Sequence, residues 1–337
     1  MLNSAVINLS VIKRNAENVK TALGGKSKLC AVVKADAYGH GAEKVAAALY
    51  TVSDCFAVAL PEEGVSLRLS GIDKEILVLT PLSAGDEKVC VEYGLTASAA
   101  CKKDVRRLEK ECEAQGKTVN FHIAYNTGMN RYGAGGVEEV CSIADEATKC
   151  RYAMLTGLYS HYAAPENDVS FNKATEKFVK ERDIIKSYDK NATCHISASG
   201  GFLRGAHYDM VRIGLLLYGY KPFASDAINV KPAMRVYAPV VAKRTLSVGE
   251  TALYGETRAE KPERLSLVRY GYADGLPRMR VKGQFGNRCM DVTALTDNDK
   301  RFVNVIENAE ELSSEYGTIT YELLCGAARR AEKIYVT

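Results

Sequence analysis

The sequence predicts an α/β fold in which an N-terminal (β/α)8 barrel of the TIM type is followed by a C-terminal all-β domain. Eight short apolar runs rich in β-branched residues alternate with helical patterns over the first two thirds of the 337-residue chain. Beyond Asn229, shorter Val- and Tyr-rich runs separated by glycine turns replace this alternation. We therefore expect a barrel domain over residues 1–228 and a β-domain over residues 229–337.

Each predicted barrel strand is a short apolar run, and most are followed by a segment with helical spacing of its apolar residues. The barrel strands are expected at 29–34, 55–60, 76–80, 95–98, 119–124, 155–161, 193–196 and 210–217, and helices at 43–50, 62–69, 102–114, 137–148 and 169–188. Strands of the second domain are expected at 236–245, 265–269 and 302–306. An open doubly wound sheet would show the same alternation and is the rival fold.

Composition restricts the classes of partner. The 45 basic and 41 acidic residues are dispersed and leave a formal charge of +4, so no basic stripe indicates nucleic acid. The ten cysteines have irregular spacings without a Cys-x-x-Cys pair, which favours free thiols in a reducing cytoplasm. The N-terminus lacks a signal-like pattern, and no apolar run has the roughly 18 residues of a membrane span. Five scattered histidines without paired ligand spacing predict no metal site.

Polar residues that could carry chemistry follow the predicted strands. Lys34 ends the first strand, Arg131 follows the fifth and His161 ends the sixth. Ser199 lies after the seventh strand, and Arg212 lies within the eighth. Barrel enzymes build their active sites at the carboxyl ends of the strands, and the loops after strands seven and eight commonly bind phosphate. These residues are therefore expected to share one site.

Lys34 is the most informative of these residues. It lies in the stretch Leu29-Cys-Ala-Val-Val-Lys-Ala-Asp-Ala-Tyr-Gly-His-Gly41, where an apolar strand gives way to a glycine-rich turn. A lysine at the end of a buried strand can have a lowered pKa and form a Schiff base. By themselves, the residue type and its position fit a second interpretation equally well, in which Lys34 extends its ammonium group to solvent.

The whole stretch resembles the pyridoxal phosphate lysine motif of the alanine racemases, and the resemblance continues in the same order along nearly the whole chain. The further matching segments are Asn126-Thr-Gly-Met-Asn-Arg-Tyr-Gly133, Gly157-Leu-Tyr-Ser-His161, Val211-Arg-Ile-Gly-Leu-Leu-Leu-Tyr-Gly219, Gly271-Tyr-Ala-Asp-Gly-Leu-Pro-Arg278 and Arg288-Cys-Met-Asp291. The resemblance implies a PLP-dependent amino-acid racemase, most simply one that interconverts L- and D-alanine.

The resemblance also implies roles for individual residues. Racemisation removes the α-proton on one face and returns a proton on the other, so it needs a base on each face, here Lys34 and Tyr272. His161 lies beside the cofactor. Arg212 faces the pyridine nitrogen, and because a guanidinium cannot accept a proton it leaves that nitrogen unprotonated. Arg131 binds the substrate carboxylate.

The remaining roles concern the phosphate and the second subunit. Tyr38, Ser199, Gly214 and Leu215 are implied to hold the cofactor phosphate. Tyr272 and the Met290 backbone come from the neighbouring subunit in this family, so the resemblance implies a homodimer.

Three positions depart from the family pattern. Ala124 replaces a lysine that many members carbamylate to orient the carboxylate-binding arginine, and Asn126 replaces the usual aspartate. Arg329 stands where a pocket tyrosine is frequent. These departures leave open a racemase of serine or another small amino acid. A PLP barrel decarboxylase and a non-catalytic PLP-binding protein are further alternatives, both disfavoured by the Tyr272 block.

Overall fold

The computed structural model describes residues 2–297 and 299–337. The chain divides into two compact units. The barrel unit consists of Ile12–Ala35 and Ala42–Lys231, and the β unit consists of Met1–Val11, Asp36–Gly41 and Pro232–Thr337.

The described residues form fourteen strands, numbered here in chain order. They are β1 Ser4–Asn8, β2 Lys28–Val32, β3 Cys55–Val58, β4 Ile76–Val78, β5 Ala97–Ala99, β6 Val119–Ala124, β7 Ala153–Tyr159, β8 Thr193–His195, β9 Met210–Ile213, β10 Met234–Leu246, β11 Glu263–Val268, β12 Thr293–Thr296, β13 Phe302–Asn304 and β14 Glu332–Val336. The right-handed α-helices are Leu9–Leu23, Ala42–Leu49, Pro61–Leu69, Asp86–Tyr93, Lys102–Gln115, Val137–Ala147, Asp168–Tyr188, Ser199–Leu203, Ala309–Glu315 and Thr320–Ala327, and Lys34–Tyr38 form a short left-handed helical turn. Among the described helices, none has the length and apolar character needed to cross a membrane.

Strands β2–β9 form a closed parallel barrel. Two four-stranded sheets, in the orders β4-β3-β2-β9 and β5-β6-β7-β8, supply its wall. Val78 on β4 donates to the Thr96 carbonyl beside β5 at 2.9 Å, which joins the sheets on one side. Arg212 on β9 donates to the Ser197 carbonyl after β8 at 2.9 Å, which joins them on the other. The predicted barrel is therefore confirmed, and the open doubly wound sheet, which would leave two free edges, is wrong.

The helix Lys102–Gln115 shows how the sequence forms the outer layer. Its apolar residues recur every three or four positions and are buried at Val105, Leu108 and Cys112, while most of its other residues are polar. Gly116 ends the helix at a φ of +63°, a left-handed conformation that favours glycine.

The first barrel strand ends two residues earlier than predicted, and the chain then turns left-handed. Four consecutive non-glycine residues, from Ala35 to Tyr38, have φ between +50° and +54°. Such a conformation costs roughly 1–2 kcal/mol per residue, so it needs compensating contacts. Part of the compensation is local, because the Gly41 N–H donates to the Asp36 carbonyl at 2.8 Å and the buried His40 ring contacts two carbonyls of the turn at 3.0 Å.

The predicted strand 210–217 is also shorter than expected. Strand β9 ends at Ile213, and Leu215–Tyr218 form a turn of 3-10 helix instead. The glycine at 214 separates the two elements. A continuous apolar run fits either a buried strand or a buried helical turn, which is why its periodicity did not distinguish them.

The β unit contains a mixed sheet in the order β12-β11-β10-β1-β14, with β13 also paired to β10. The predicted strands 236–245, 265–269 and 302–306 correspond to β10, β11 and β13. The N-terminal strand β1 was included in the predicted barrel domain but pairs antiparallel with β10 and parallel with β14. Its alternating burial, with Ala5 and Ile7 facing the core, is typical of a sheet strand. Two helices, Ala309–Glu315 and Thr320–Ala327, accompany the sheet.

Candidate active site

The barrel brings five of the predicted site residues to the carboxyl ends of its strands. Lys34 follows β2, Arg131 follows β6, His161 follows β7, Ser199 follows β8, and Arg212 lies on β9. In a parallel barrel these ends lie at one mouth, so residues far apart in sequence converge there. Arg212 Nη2 lies 3.4 Å from His161 Nδ1, and Arg131 lines one small cavity together with His161. After burial, the charges of Arg212, Arg131 and Lys34 lower the pKa of His161.

Arg212 is the central charged group of this mouth. Its side chain is 3% exposed. Nη1 donates to His195 Nδ1 at 2.5 Å and to the His195 carbonyl at 3.2 Å. Nη2 donates to the carbonyls of Ser160 at 2.6 Å and Ile196 at 3.1 Å. All of these acceptors are neutral, and no carboxylate in the described part of the chain forms an ion pair with Arg212.

The contact with Arg212 determines which ring nitrogens of two histidines carry a proton. A guanidinium only donates, so His195 Nδ1 must accept and the His195 proton must lie on Nε2. His195 Nε2 is 3.0 Å from His122 Nδ1, which therefore accepts as well. The His122 proton is then on Nε2, which faces a Glu75 carboxylate oxygen at 3.9 Å. The direction of donation thus runs from Arg212 through the two imidazoles toward the Glu75 carboxylate.

These imidazoles are held neutral. Burial is the main cause that lowers the pKa of His161 to about 3, and the cations Arg212, Arg131 and Lys34 lower it further. Burial likewise lowers the pKa of His122 to about 4. The pKa of His195 is shifted in the same direction by burial and then by Arg212. Arg212 therefore keeps its charge among neutral neighbours.

The barrel mouth has the donors that pyridoxal phosphate requires. Nη1 and Nη2 of Arg212 are both engaged, whereas its Nε–H has no acceptor among the described residues and is suited to an unprotonated ring nitrogen. Ser199 begins the helix Ser199–Leu203, and Leu215 begins the 3-10 turn after Gly214. The Leu216 N–H lies 3.4 Å from the Ser199 oxygen, so the two helical starts adjoin. The first N–H groups of a helix have no intrahelical acceptor and suit a phosphate.

The loop that carries Arg131 is shaped by Asn126. Its side-chain oxygen accepts the N–H groups of Gly128 and Asn130, both at 3.0 Å, so asparagine performs here the turn-forming role that an aspartate could also perform. Gly133 has a φ of +104°, and a Cβ there would lie 2.9 Å from the Ala124 carbonyl oxygen. The loop is thus anchored closely to the end of β6.

Arg131 itself is exposed, and its guanidinium lies 4.5 Å from the centroid of the Tyr132 ring. Arg131, Tyr132 and His161 line a cavity of about 20 Å³, which is room for one water-sized species. Ala124 is buried at the end of β6 and offers no side-chain anion.

Tyr38, Tyr272 and Met290 belong to the β unit, unlike the residues of the barrel mouth. Tyr272 begins a 3-10 turn and is 37% exposed, and Met290 is 54% exposed. The Tyr272 N–H donates to the Cys289 carbonyl at 3.1 Å, and a Cβ on Gly271 would lie 2.0 Å from the Met290 carbonyl oxygen. The two segments are therefore held together by a close backbone approach that only glycine allows.

Tyr38 is buried, and its ring centroid lies 5.5 Å from that of Tyr321. Burial raises the pKa of Tyr321 to about 12. Arg329, the other departure near the end of the chain, is exposed and follows the helix Thr320–Ala327.

The sequence analysis assigned no role to His122 and His195, whereas the structure connects both to Arg212. Their positions as polar residues on predicted barrel strands could have identified them. His195 and Arg212 lie on adjacent barrel strands, and His122 lies two strands away, on the same stretch of wall. Polar residues on barrel strands either face the filled interior or the helices, and both places require hydrogen-bond partners.

Comparisons with known proteins agree with this arrangement. Residues 7–222 match the family model of the alanine racemase N-terminal domain, and residues 233–335 match that of the C-terminal domain. The chain is 33% identical to "Alanine racemase 2" of Caldanaerobacter subterraneus subsp. tengcongensis, over 98% of this chain and 94% of the relative.

Solved structures give the same result. An alanine racemase from Clostridium difficile 630 superposes with a TM-score of 0.92 at 28% identity, covering 100% of this chain and 96% of that one. The alanine racemase of Bartonella henselae, solved with covalently bound pyridoxal phosphate, has a TM-score of 0.87 at 26% identity and full coverage of both chains (100% and 100%). This chain belongs to the alanine racemase family.

Proposed function

We propose that this chain interconverts L- and D-alanine with bound pyridoxal phosphate, and that Lys34 and Tyr272 act as the two bases. The activity and the cofactor are those of the family. The observation that carries the assignment of the site is Arg212, which is buried at the barrel mouth, hydrogen-bonded only to neutral acceptors, and has its Nε–H left for a ligand.

When bound, the cofactor supplies an electron sink that stabilises negative charge on the α-carbon of the substrate. Arg212 would donate to its ring nitrogen through Nε and could not protonate that nitrogen, because a guanidinium retains its protons. The neutral imidazoles of His195 and His161 beside Arg212 offer no additional proton at ordinary pH. This arrangement limits the strength of the sink and favours simple proton exchange over reactions that need fuller delocalisation.

Lys34 would link to the cofactor and exchange the α-proton on one face of the substrate. Tyr272 would exchange it on the other face. A lysine and a tyrosine both have ordinary pKa values near 10, so each needs neighbouring positive charge or desolvation to act near neutral pH. Arg131 and Arg212, which together with Lys34 lower the pKa of His161, supply that positive charge at the barrel mouth.

The phosphate would be held by Ser199 and by the backbone at Gly214 and Leu215, with Tyr38 adding a hydroxyl donor. The adjoining helical starts at Ser199 and Leu215 support this role. Arg131 would bind the substrate carboxylate, and the backbone at Met290 would contact the substrate.

We further propose that the chain acts as a homodimer in which Tyr272 and Met290 complete the neighbouring subunit's site. Both residues are substantially exposed in the single chain, and they are fixed to each other by the Gly271 contact. They can therefore be presented together, as one preformed element, to a second subunit.

Trapping the cofactor and analysing the products test this proposal. Borohydride reduction of the holoenzyme followed by peptide mapping should place the cofactor on Lys34, and label on another lysine would contradict the site. L-alanine and L-serine should then be incubated separately and the products resolved by chirality. D-alanine as the preferred product supports the proposal, whereas preferred racemisation of serine, or release of carbon dioxide, would replace it.

A further inference from the structure

The β unit contains a cavity that the proposed reaction does not use. Its volume is about 450 Å³, within the range of small-molecule sites. Residues at the end of β11, on β12, in the loop around Gln284 and on the helix Ala309–Glu315 line it. All of these residues lie between 232 and 337, so the cavity belongs entirely to one compact unit.

A buried cation lies at one wall of this cavity. The Arg288 side chain is 2% exposed, and Nε and Nη2 donate to the hydroxyls of Thr293 and Tyr316, each at 2.7 Å. Nη1 donates to the Pro277 carbonyl. These acceptors are neutral, and within 2–297 and 299–337 no carboxylate is ion-paired with Arg288. A buried charge without a counter-ion is costly, and two of its five N–H groups remain available.

The same cavity contains an unpartnered acceptor. Gln284 lines it, and the Oε1 of this side chain is fully buried without a hydrogen-bond donor among the described residues. A buried acceptor without a donor destabilises the folded protein, because it has lost its hydrogen bonds to water without replacing them. A ligand that carries an N–H donor would remove this cost, and a carboxylate on the same ligand would compensate Arg288.

Three residues of the cavity lining are acidic, and Lys282 is a second basic residue there beside Arg288. Glu311 and Glu315, four residues apart on the helix Ala309–Glu315, form an acidic ridge in this lining, and Glu307, just before the helix, lines the cavity as well. None of the three is in an ion pair with a described residue. Like charges at this spacing repel each other, and a cation beside the ridge would relieve the repulsion.

We infer that this cavity binds a linear amino acid with one carboxylate and two ammonium groups, of which L-lysine is the simplest common example. Its carboxylate would pair with Arg288, and its ammonium groups would donate to Gln284 and to the Glu311 ridge. This site goes beyond the proposed racemase function, and its occupant differs from alanine in the second ammonium group and in length.

The test measures binding of L-lysine to the holoenzyme by calorimetry. Saturable binding to wild type is expected, with norleucine, which lacks the terminal ammonium, and cadaverine, which lacks the carboxylate, at least about tenfold weaker. Glu311→Gln should weaken lysine binding while leaving the KM for alanine unchanged. Glu310→Gln, on the same helix but outside the cavity lining, is the matched control and should bind as wild type does.

Arg288→Lys provides a second variant that keeps the charge. Because Arg288 also supports the fold through three hydrogen bonds, the folding of Arg288→Lys is checked by circular dichroism. If this variant unfolds, the comparison of Glu311→Gln with Glu310→Gln carries the test. No binding to wild type, equal binding of norleucine, binding unaffected by Glu311→Gln, or displacement of lysine by alanine would each overturn the proposal. The last outcome would place lysine in the racemase site and leave the racemase function standing.

Discussion

Lowering the pH from 8 to 5 should destabilise the folded protein strongly, because the barrel mouth buries neutral imidazoles. The pKa of His122 is lowered to about 4 and that of His161 to about 3, from an ordinary value of 6.5. At pH 5 both remain unprotonated in the folded state, whereas both are protonated in the unfolded chain. The unfolded state therefore binds more protons, and the free energy of unfolding falls as pH falls below about 6.5.

The size of the effect follows from the shifts. Each pKa unit corresponds to about 1.4 kcal/mol, and pH 5 is 1.5 units below the unfolded value, so each imidazole removes about 2 kcal/mol. His122 and His161 together remove about 4 kcal/mol, and His195 adds to the loss in the same direction. This is a large share of the roughly 5–15 kcal/mol that stabilises a typical domain.

Urea unfolding followed by circular dichroism measures this loss, since the chain has no tryptophan to serve as a fluorescence probe. Wild type is compared with His122→Gln, which should lose about 2 kcal/mol less between pH 8 and pH 5. His207→Gln, which removes a partly buried imidazole that is not bonded to Arg212, His195 or His122, is the control for the loss of a histidine as such. An equal pH dependence in wild type and His122→Gln would refute the reasoning.

Three further predictions concern the reaction. Tyr272→Phe should slow α-proton exchange from L-alanine in deuterium oxide while the cofactor stays bound, and near-wild-type exchange from both enantiomers would remove Tyr272 from the mechanism. Activity should be higher in chloride than in acetate at the same ionic strength, because the small cavity lined by Arg131 can hold one anion and Ala124 supplies no anionic side chain. In Ala124→Lys, a carbamylated lysine would supply the anion, and the dependence on chloride should disappear. Gly271→Ala should lower the melting temperature and the activity together, by a strain of about 1–3 kcal/mol, since its Cβ would overlap the Met290 carbonyl; an unchanged melting temperature would contradict this.

The order of barrel strands could be predicted because it depends on local patterns. Every one of the eight predicted runs is a strand in the structure, and most of the helices between them were also identified. The pairing of the N-terminal strand β1 could not be predicted, because its partners, β10 and β14, are more than 220 residues away along the chain. Alternation within five residues indicates a strand but contains no information about the sheet it joins.

The left-handed turn after β2 was missed for a different reason. Ala35, Asp36, Ala37 and Tyr38 have no common preference for positive φ, and only the following Gly39 and Gly41 suggest an unusual backbone. The conformation is stabilised by hydrogen bonds within the turn and by the ion pair between Asp36 and Lys333. Such a segment next to Lys34 is consistent with the expectation that strain is concentrated at functional sites.

Family resemblance supplied the roles of Lys34, Arg212 and Tyr272, but not the environment that makes those roles physically reasonable. Hydrogen bonds from Arg212 to His195, and from His195 to His122, cross three strands and cannot be deduced from spacing in one sequence. The proton positions on the His195 and His122 rings can be assigned only because Arg212, which donates to His195, is a guanidinium and cannot accept. The structure therefore adds the direction of the hydrogen-bond chain.

Arg212 and Arg288 present the same physical situation in two different units. Each is almost fully buried, each donates only to neutral oxygens or nitrogens, and each lacks a carboxylate partner among the residues that the structure describes. Burial of a guanidinium in this way is unfavourable for stability alone, because the charge loses its hydration without gaining a counter-ion. At Arg212 the cofactor of the alanine racemase family explains this cost in free energy, since pyridoxal phosphate is expected to bind there. The same cost at Arg288, beside a cavity and an acidic ridge, is the reason to expect a ligand in the β unit as well.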